Sequence, residues 1–128
     1  MKTWLIYALA VAAILGAVVA YQFLGPYYQV GIASWYGPGF DGKRTASGEI
    51  YDMNGISAAH KTLPFGTIVQ VVDLETGKSV IVRINDRGPF IKGRIIDLSK
   101  GAAEKLGIID KGITKVGLRI LYLPTPKK

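Results

Sequence analysis

Six short runs rich in β-branched and aromatic residues, punctuated by glycine and proline, constrain the fold of this chain more than any other feature. They cover residues 29–35, 56–59, 67–73, 79–85, 94–98 and 118–123. Runs of this length and spacing are typical of strands in a small sandwich or barrel. One helix is also predicted, because Ser99 is a good N-cap, residues 100–106 favour a helix, and Gly107 follows as a stop. The sequence therefore predicts an all-β domain with one short helix.

The N-terminal part of the chain differs from the rest, because residues 4–24 hold no charged side chain. A helix of this length is about 31 Å long, which matches the hydrocarbon core of a bilayer. Lys2 precedes it, which favours a cytoplasmic N-terminus and a domain outside the cytoplasm. A cleavable signal peptide ending at Ala20 is the alternative, and a buried core helix is disfavoured because the run has no polar face.

Both favoured interpretations predict an exported domain, either anchored in the cell membrane and facing the periplasm or cell wall, or secreted after cleavage. The predicted division is a membrane anchor or signal peptide over residues 1–24, a globular domain over 25–123 and a short tail over 124–128.

Composition excludes several classes of function. The chain has no cysteine, so it holds no disulfide, thiolate nucleophile, thiolate metal site or thiol-linked lipid. It has 16 lysines and arginines against 9 acidic residues, a net charge of +7, which favours an anionic neighbour. The basic residues are scattered without a basic helix, so no nucleic-acid partner is predicted. Anionic wall polymer or lipid headgroups fit better, the alternative being a charged surface that only maintains solubility.

The run ending at residue 86 carries the clearest chemical signal. Every second residue from Val80 to Ile84 is apolar, and Asp86 continues that phase. If the strand is straight, this carboxyl group emerges from the core side, partly removed from water, as a proton donor at neutral pH requires. The alternative is that Asp86 forms an ion pair with Arg83 or Arg87, or caps the following turn.

Five blocks combine glycines, aromatic rings and charged groups more densely than loops require. They are GIASWYG at 31–37, GKRTASGEIYD at 42–52, AAHKTLPFGT at 58–67, VRINDRGPF at 82–90 and RIIDLS at 94–99. In these blocks and their order, residues 30–123 resemble the RlpA-like (rare lipoprotein A) family of septal ring lytic transglycosylases. The resemblance implies a six-stranded double-psi β-barrel, related to that of expansins.

The resemblance also implies a function in cell wall organisation and daughter-cell separation. Family members cleave peptidoglycan glycan strands between N-acetylmuramic acid and N-acetylglucosamine, leave 1,6-anhydro ends, and prefer strands without stem peptides. The family's functional residues fall on Glu49 in Ser-Gly-Glu, His60 in Ala-Ala-His and Asp86 in Asn-Asp-Arg-Gly-Pro. The sequence has neither the lipobox cysteine nor the appended SPOR domain, so the resemblance does not extend to outer-membrane attachment or division-site targeting.

The reaction of a lytic transglycosylase requires acidic and hydrogen-bonding side chains of these types. A carboxylic acid protonates the leaving oxygen, and the substrate's own 6-hydroxyl group attacks C1, so one residue serves first as acid and then as base. We assign that double role to Asp86. Glu49 is the candidate for stabilising the oxocarbenium-like positive charge, and His60 for a hydrogen bond to Asp86 or to the sugar.

Substrate-binding roles are predicted for Tyr36 and Phe90 as flat faces against sugar rings, Arg87 as a clamp on an anionic group, and Asp52. Trp35 and Tyr36 alternate along a strand, so only one of them is expected in the groove.

Simpler roles remain open for several of these residues. Glu49 and Asp52 are also suited to capping turns, and Asp97 is expected to be a structural hydrogen-bonding acid. No metal or other cofactor is predicted, because His60 is the only histidine and the chain has no cysteine. The alternative function is a non-catalytic, expansin-like module that binds wall polysaccharide, and a third is a membrane-tethered interaction protein.

Overall fold

The computed structural model describes residues 2–24 and 26–125, and the side chains of 15–24 lie outside that description. The elements in chain order are helix α1 (Lys2–Leu24), strand β1 (Gln29–Tyr36), a 3-10 turn (Pro38–Phe40), β2 (Ser57–His60), β3 (Ile68–Asp73), β4 (Ser79–Asp86), β5 (Arg94–Ser99), helix α2 (Lys100–Leu106) and β6 (Thr114–Tyr122).

The six strands close into a barrel in the order β1-β5-β2-β4-β3-β6. The pairs β1–β5 and β2–β4 are parallel, whereas the other four pairs are antiparallel. Because parallel neighbours need crossover connections, residues far apart in sequence meet at the same end of the barrel. The predicted all-β domain with six strands and one short helix is confirmed.

Strand β6 begins four residues earlier than predicted, at Thr114. Lys115 and Gly117 interrupt the apolar pattern there, although the segment pairs with both β1 and β3. The glycine is required by close packing, since a Cβ atom at position 117 would lie 2.5 Å from the ring of Tyr27. Tertiary contact therefore extends a strand that local sequence does not indicate.

Helix α2 covers part of the barrel and contributes Ala102, Ala103 and Leu106 to the hydrophobic core. Its N-terminus is capped as predicted, because the Ser99 hydroxyl accepts the amide of Ala102 at 3.2 Å. The helix ends at Gly107, which adopts φ 84°, a conformation that favours glycine.

A β-bulge interrupts the alternation at the end of β4. Val80, Val82 and Ile84 point into the core as predicted, but the pairing with β2 steps from Ala58–Ile84 to Ala59–Asp86. Two consecutive residues, Ile84 and Asn85, are consequently buried, and Asp86 is half-buried. The strand is therefore not straight, and Asp86 lines an open cavity instead of the core.

The N-terminal helix has side chains described only as far as Ile14. Within the described residues, no helix is long and apolar enough to cross a membrane. The predicted anchor or signal peptide over 1–24, and the tail over 124–128, lie partly outside the described residues and stay predictions.

Candidate active site

An open cavity of about 270 Å³ lies where several strands and the 3-10 turn come together. Its lining comes from β1, β2, β4, β5 and the segments that follow β1 and β4. The lining residues are Tyr36, Phe40, Ala59, Asp86, Arg87, Phe90 and Asp97. Four residues predicted from sequence are thereby brought together, namely Tyr36, Asp86, Arg87 and Phe90, whereas Glu49, His60 and Asp52 are not part of the lining.

The Asp86 carboxylate is held by backbone amides rather than by a cation. Its Oδ1 accepts the N–H groups of Ala46 and Arg87, each at 2.9 Å, and its Oδ2 accepts the Tyr36 hydroxyl at 3.4 Å. Among the described residues Asp86 forms no ion pair, because Arg83 pairs with Glu49 and the Arg87 guanidinium binds carbonyl groups. One oxygen is thus fixed by the backbone, and the other faces the cavity beside a phenol.

Tyr36 is the aromatic residue of β1 that reaches the cavity. Its ring stacks on Tyr51 with centroids 4.6 Å apart, and it meets Phe40 edge-on at 5.7 Å. Burial raises the pKa of the Tyr36 phenol far above its usual range, and the negative charge of Asp86 raises it further. The group is therefore a neutral hydrogen-bond donor. Trp35 packs against the core instead, which confirms that only one of the two neighbouring rings lines the groove.

Asp97 is a second carboxylate in the cavity. It lies on β5, directly across from Ser34 on β1, and accepts that residue's hydroxyl group. The structural hydrogen bond predicted from sequence is therefore present, but Asp97 also lines the cavity and raises the pKa of Tyr36 through its charge. The signal for a role in the site was an acid in the middle of an apolar strand, between Ile96 and Leu98.

Phe40 is a lining residue that is not predicted from the sequence. It lies in the 3-10 turn and is 56% exposed, and Phe90 on another segment of the lining is 83% exposed. Large aromatic rings exposed beside charged groups in a cleft are suited to packing against a flat, partly apolar ligand. The short Pro-Gly-Phe turn carried no pattern that predicted this position.

Arg87 is fixed by protein groups although it lines the cavity. Its Nη1 donates to the carbonyl oxygens of Leu63 at 2.8 Å and His60 at 3.2 Å. The guanidinium also lies 4.0 Å from the centroid of the Phe65 ring. It supplies a positive charge at a defined place.

Glu49 and Asp52 lie outside the cavity lining and bind other partners. Both oxygens of Glu49 accept the Arg83 guanidinium at 2.6 Å, and Oε2 also accepts the Asn85 amide at 3.3 Å. The hydrogen bonds from Arg83 hold the pKa of Glu49 below its ordinary value. Asp52 Oδ1 accepts the amide of Asn54 at 3.0 Å, which is the turn-capping arrangement considered as its alternative role.

His60 is buried, and both of its ring nitrogens form hydrogen bonds with other groups of the protein. Nδ1 accepts the amides of Thr62 at 3.2 Å and Leu63 at 3.1 Å, so Nε2 carries the proton and donates to Gln29 Oε1 at 2.8 Å. Neither nitrogen binds Asp86 in this arrangement. The His60 carbonyl oxygen nevertheless receives Arg87, which connects the residue to the cavity.

Stability is expected to fall as the pH drops below about 6.5, through His60. Burial lowers the pKa of His60 below its ordinary value, with the charges of Arg87 and Lys61 acting in the same direction. The folded state therefore binds this proton less readily than the unfolded state, and the stabilisation present above pH 6.5 is lost as the pH falls. The slope contributed by one proton is at most about 1.4 kcal/mol per pH unit.

Chemical denaturation of the wild type and of His60→Gln between pH 7.5 and 5.5 measures this effect. The variant is expected to be less stable at pH 7.5 and to show a flatter pH dependence. An equally steep decline in both proteins would assign the pH dependence to other groups.

The closed six-stranded barrel, with its mixed parallel and antiparallel pairs and a cleft lined by charged and aromatic side chains, is a double-psi β-barrel. The family described as lytic transglycolase matches residues 28–118, and the chain belongs to that family. The resemblance inferred from the five sequence blocks is thereby confirmed.

Curated relatives cover the same region. The chain is 62% identical over 91 residues to the probable endolytic peptidoglycan transglycosylase RlpA of Synechocystis sp., covering 71% of this chain and 28% of that protein. It is 56% identical over 91 residues to the endolytic peptidoglycan transglycosylase RlpA of Campylobacter jejuni, covering 71% of this chain and 33% of the relative. The match thus spans about a third or less of the length of these relatives.

A solved structure supports the fold. The expansin of Clavibacter michiganensis superimposes with a TM-score of 0.58 at 22% identity, covering 76% of this chain and 52% of the expansin. At this identity the likeness concerns the barrel alone.

Proposed function

We propose that this protein is an endolytic peptidoglycan lytic transglycosylase, a lyase that cuts the bond between N-acetylmuramic acid and N-acetylglucosamine and leaves 1,6-anhydro ends. The observation that carries the proposal is the Asp86 carboxylate, fixed by two backbone amides and exposed to a cavity with aromatic rings. Membership of the lytic transglycolase family and the names of the curated relatives support the same activity.

Asp86 performs both proton transfers in the proposed reaction. In its acid form it donates a proton to the glycosidic oxygen as the bond from that oxygen to C1 breaks. The 6-hydroxyl oxygen of the same muramic acid then bonds to C1 and gives its proton to the Asp86 carboxylate. The acid is thereby regenerated, and no water is consumed. The Ala46 and Arg87 amides hold Oδ1, so that the carboxyl group keeps one orientation through both transfers.

Asp97 is the better placed of the carboxylates to stabilise the positive charge that develops on the sugar. It lines the cavity, whereas both oxygens of Glu49 are engaged by Arg83 outside it. A fixed negative charge near the oxocarbenium-like centre lowers the energy of the transition state. In this proposal Asp97 takes the stabilising role that the sequence suggested for Glu49, and His60 acts from behind the cavity through its contact with Arg87.

Sugar binding is proposed for the exposed rings of the cavity. Phe40 and Phe90 present apolar faces to the glycan, the Tyr36 hydroxyl orients a polar group beside Asp86, and Arg87 attracts an anionic group of the substrate. Asp52 lies outside the cavity lining, and its predicted part in substrate binding has no contact here to support it.

The proposed setting is the cell envelope, in cell wall organisation and daughter-cell separation. The uncharged run over residues 4–24 supports export, with membrane anchoring through that helix or secretion after cleavage. The net charge of +7 favours contact with anionic wall polymers.

Mass spectrometry of reaction products tests the activity. The full 128-residue chain, kept in detergent because of its apolar N-terminal run, is incubated with purified peptidoglycan and with glycan strands freed of stem peptides. Anhydro-ended fragments, lighter by one water than hydrolysis products, are expected from both, with faster release from the peptide-free strands. Reducing ends would instead indicate a hydrolase, and binding without new chain ends would indicate an expansin-like, non-catalytic module.

A further inference from the structure

Residues 43–51 form a small hairpin that touches the end of β4. Its two arms are joined by hydrogen bonds from Tyr51 N–H to the Lys43 carbonyl and from Thr45 N–H to the Glu49 carbonyl, each at 2.7 Å. Only Thr45 and Tyr51 of this 43–51 hairpin are buried. The Tyr51 ring anchors one arm, whereas the turn over residues 46–49 buries no side chain fully and therefore depends on specific polar contacts to keep its place.

Four contacts connect the 43–51 hairpin to residues 83–86 of β4. Ser47 N–H donates to the Asn85 carbonyl at 3.3 Å, and Ala46 N–H donates to Asp86 Oδ1 at 2.9 Å. The third contact is the Arg83–Glu49 pair, in which two guanidinium N–H groups donate to two carboxylate oxygens at 2.6 Å. The fourth is weaker, with the Asn85 side-chain amide donating to Glu49 Oε2 at 3.3 Å. The strand that carries Asp86 therefore also carries the group that fastens the hairpin against it.

We propose that Arg83 is a positioning residue, whose forked pair with Glu49 holds the 43–51 hairpin so that the Ala46 amide stays on the Asp86 carboxylate. The consequence for catalysis rests on the function proposed above. An arginine fork on a carboxylate fixes distance and plane together, which a single contact does not do. Glu49 lies three residues from Ala46, so the position of one constrains the position of the other.

The exposure of the pair distinguishes this role from simple stabilisation. Both side chains are 43% exposed, and exposed ion pairs add little to folding stability. The hydrogen bonds from Arg83 also lower the pKa of Glu49, because the guanidinium stabilises the charged form of the carboxyl group. This arrangement gives Glu49 an effect on the reaction although it does not line the cavity.

Single substitutions and a charge swap test the proposal. Arg83→Lys keeps the charge but removes the fork, and Glu49→Gln keeps the shape but removes the charge. Each is expected to lower kcat about 10- to 100-fold, with KM changed less than about threefold, because the acid loses its orientation while the sugar-binding rings are intact. The double variant Arg83→Glu/Glu49→Arg restores the pair in reverse, and we expect it to recover most of kcat.

A direct readout of the contact is the solvent exchange rate of the Ala46 amide, followed by NMR on the full chain in detergent. The rate is expected to rise at least about fivefold in Arg83→Lys and to return towards the wild-type value in the swapped pair. The control is Lys111→Gln, which breaks the similarly exposed ion pair between Lys111 and Glu75. It is expected to change neither kcat nor the Ala46 exchange rate.

Unchanged kcat and unchanged Ala46 exchange in folded Arg83→Lys and Glu49→Gln would overturn the proposal. Equal losses in the swapped pair would likewise show that the residue types, and not the pair, matter. If the wild type releases no chain ends, the proposed function fails, but the Ala46 exchange rates still decide whether Arg83 positions the hairpin. Should one single variant fail to fold, the other and the swapped pair give the same comparison.

Discussion

Asp86→Asn is expected to reduce the release of anhydro-ended glycan by at least about 10³-fold, the largest effect expected among the residues that line the cavity. In the proposed reaction the same carboxyl group donates and then accepts a proton, so its replacement by an amide removes the acid and the base together. General acid–base catalysis by one side chain contributes about 10²- to 10⁴-fold. Product release per unit time, measured by chromatography of anhydro-muropeptides, gives the ratio.

The asparagine variant is expected to change catalysis without changing the fold or the binding of glycan. Its side-chain oxygen still accepts the Ala46 and Arg87 amides, so the unfolding midpoint and the affinity for glycan are expected to stay close to the wild-type values. Scission at an undiminished rate would remove Asp86 from the mechanism. Loss of binding together with activity would mean that the carboxylate holds the sugar rather than transferring protons.

Asp97→Asn is expected to lower kcat about 10²- to 10³-fold while changing KM by less than about threefold. The substitution removes the negative charge that is proposed to stabilise the transition state, and preorganised electrostatic groups of this kind contribute about that much to kcat. The amide still accepts the Ser34 hydroxyl group, so β1 and β5 remain connected at this point. Steady-state kinetics on peptide-free glycan strands separates the two parameters.

Ser34→Ala provides the matched control for Asp97→Asn. It removes the hydrogen bond to Asp97 but leaves the charge, so we expect a much smaller loss of kcat than for the charge-removing variant. Full activity of Asp97→Asn would return the stabilising role to Glu49, as the sequence first suggested. The Arg83→Glu/Glu49→Arg variant, which moves the carboxylate to β4, would then remain inactive.

Local patterns predict much of the barrel. Alternation in β4 identified Val80, Val82 and Ile84 as core residues, and cap residues identified helix α2. The bulge at Asn85 was not predictable, because it arises from the pairing of β4 with β2 across the barrel. The start of β6 depends in the same way on the ring of Tyr27 packing against Gly117.

The candidate site was predictable in its residue types more than in their contacts. The sequence blocks indicated Asp86, Tyr36, Arg87 and Phe90, which line one cavity. The hydrogen-bond partners of Arg83 and of the two His60 ring nitrogens depend on which segments fold against those side chains. Phe40 is the clearest example of a residue that local sequence does not predict. Its ring lines the cavity only because the fold places the short turn beside the cleft.

The closed order of the barrel strands means that every strand has a neighbour on both sides. Within the described residues, no strand is therefore an edge strand that offers its whole length for pairing with another copy of the chain. A barrel of this kind can be held at high local density along a polymer without edge-to-edge aggregation. Closure thus limits strand-to-strand pairing between copies through the backbone topology, whatever side chains the surface carries.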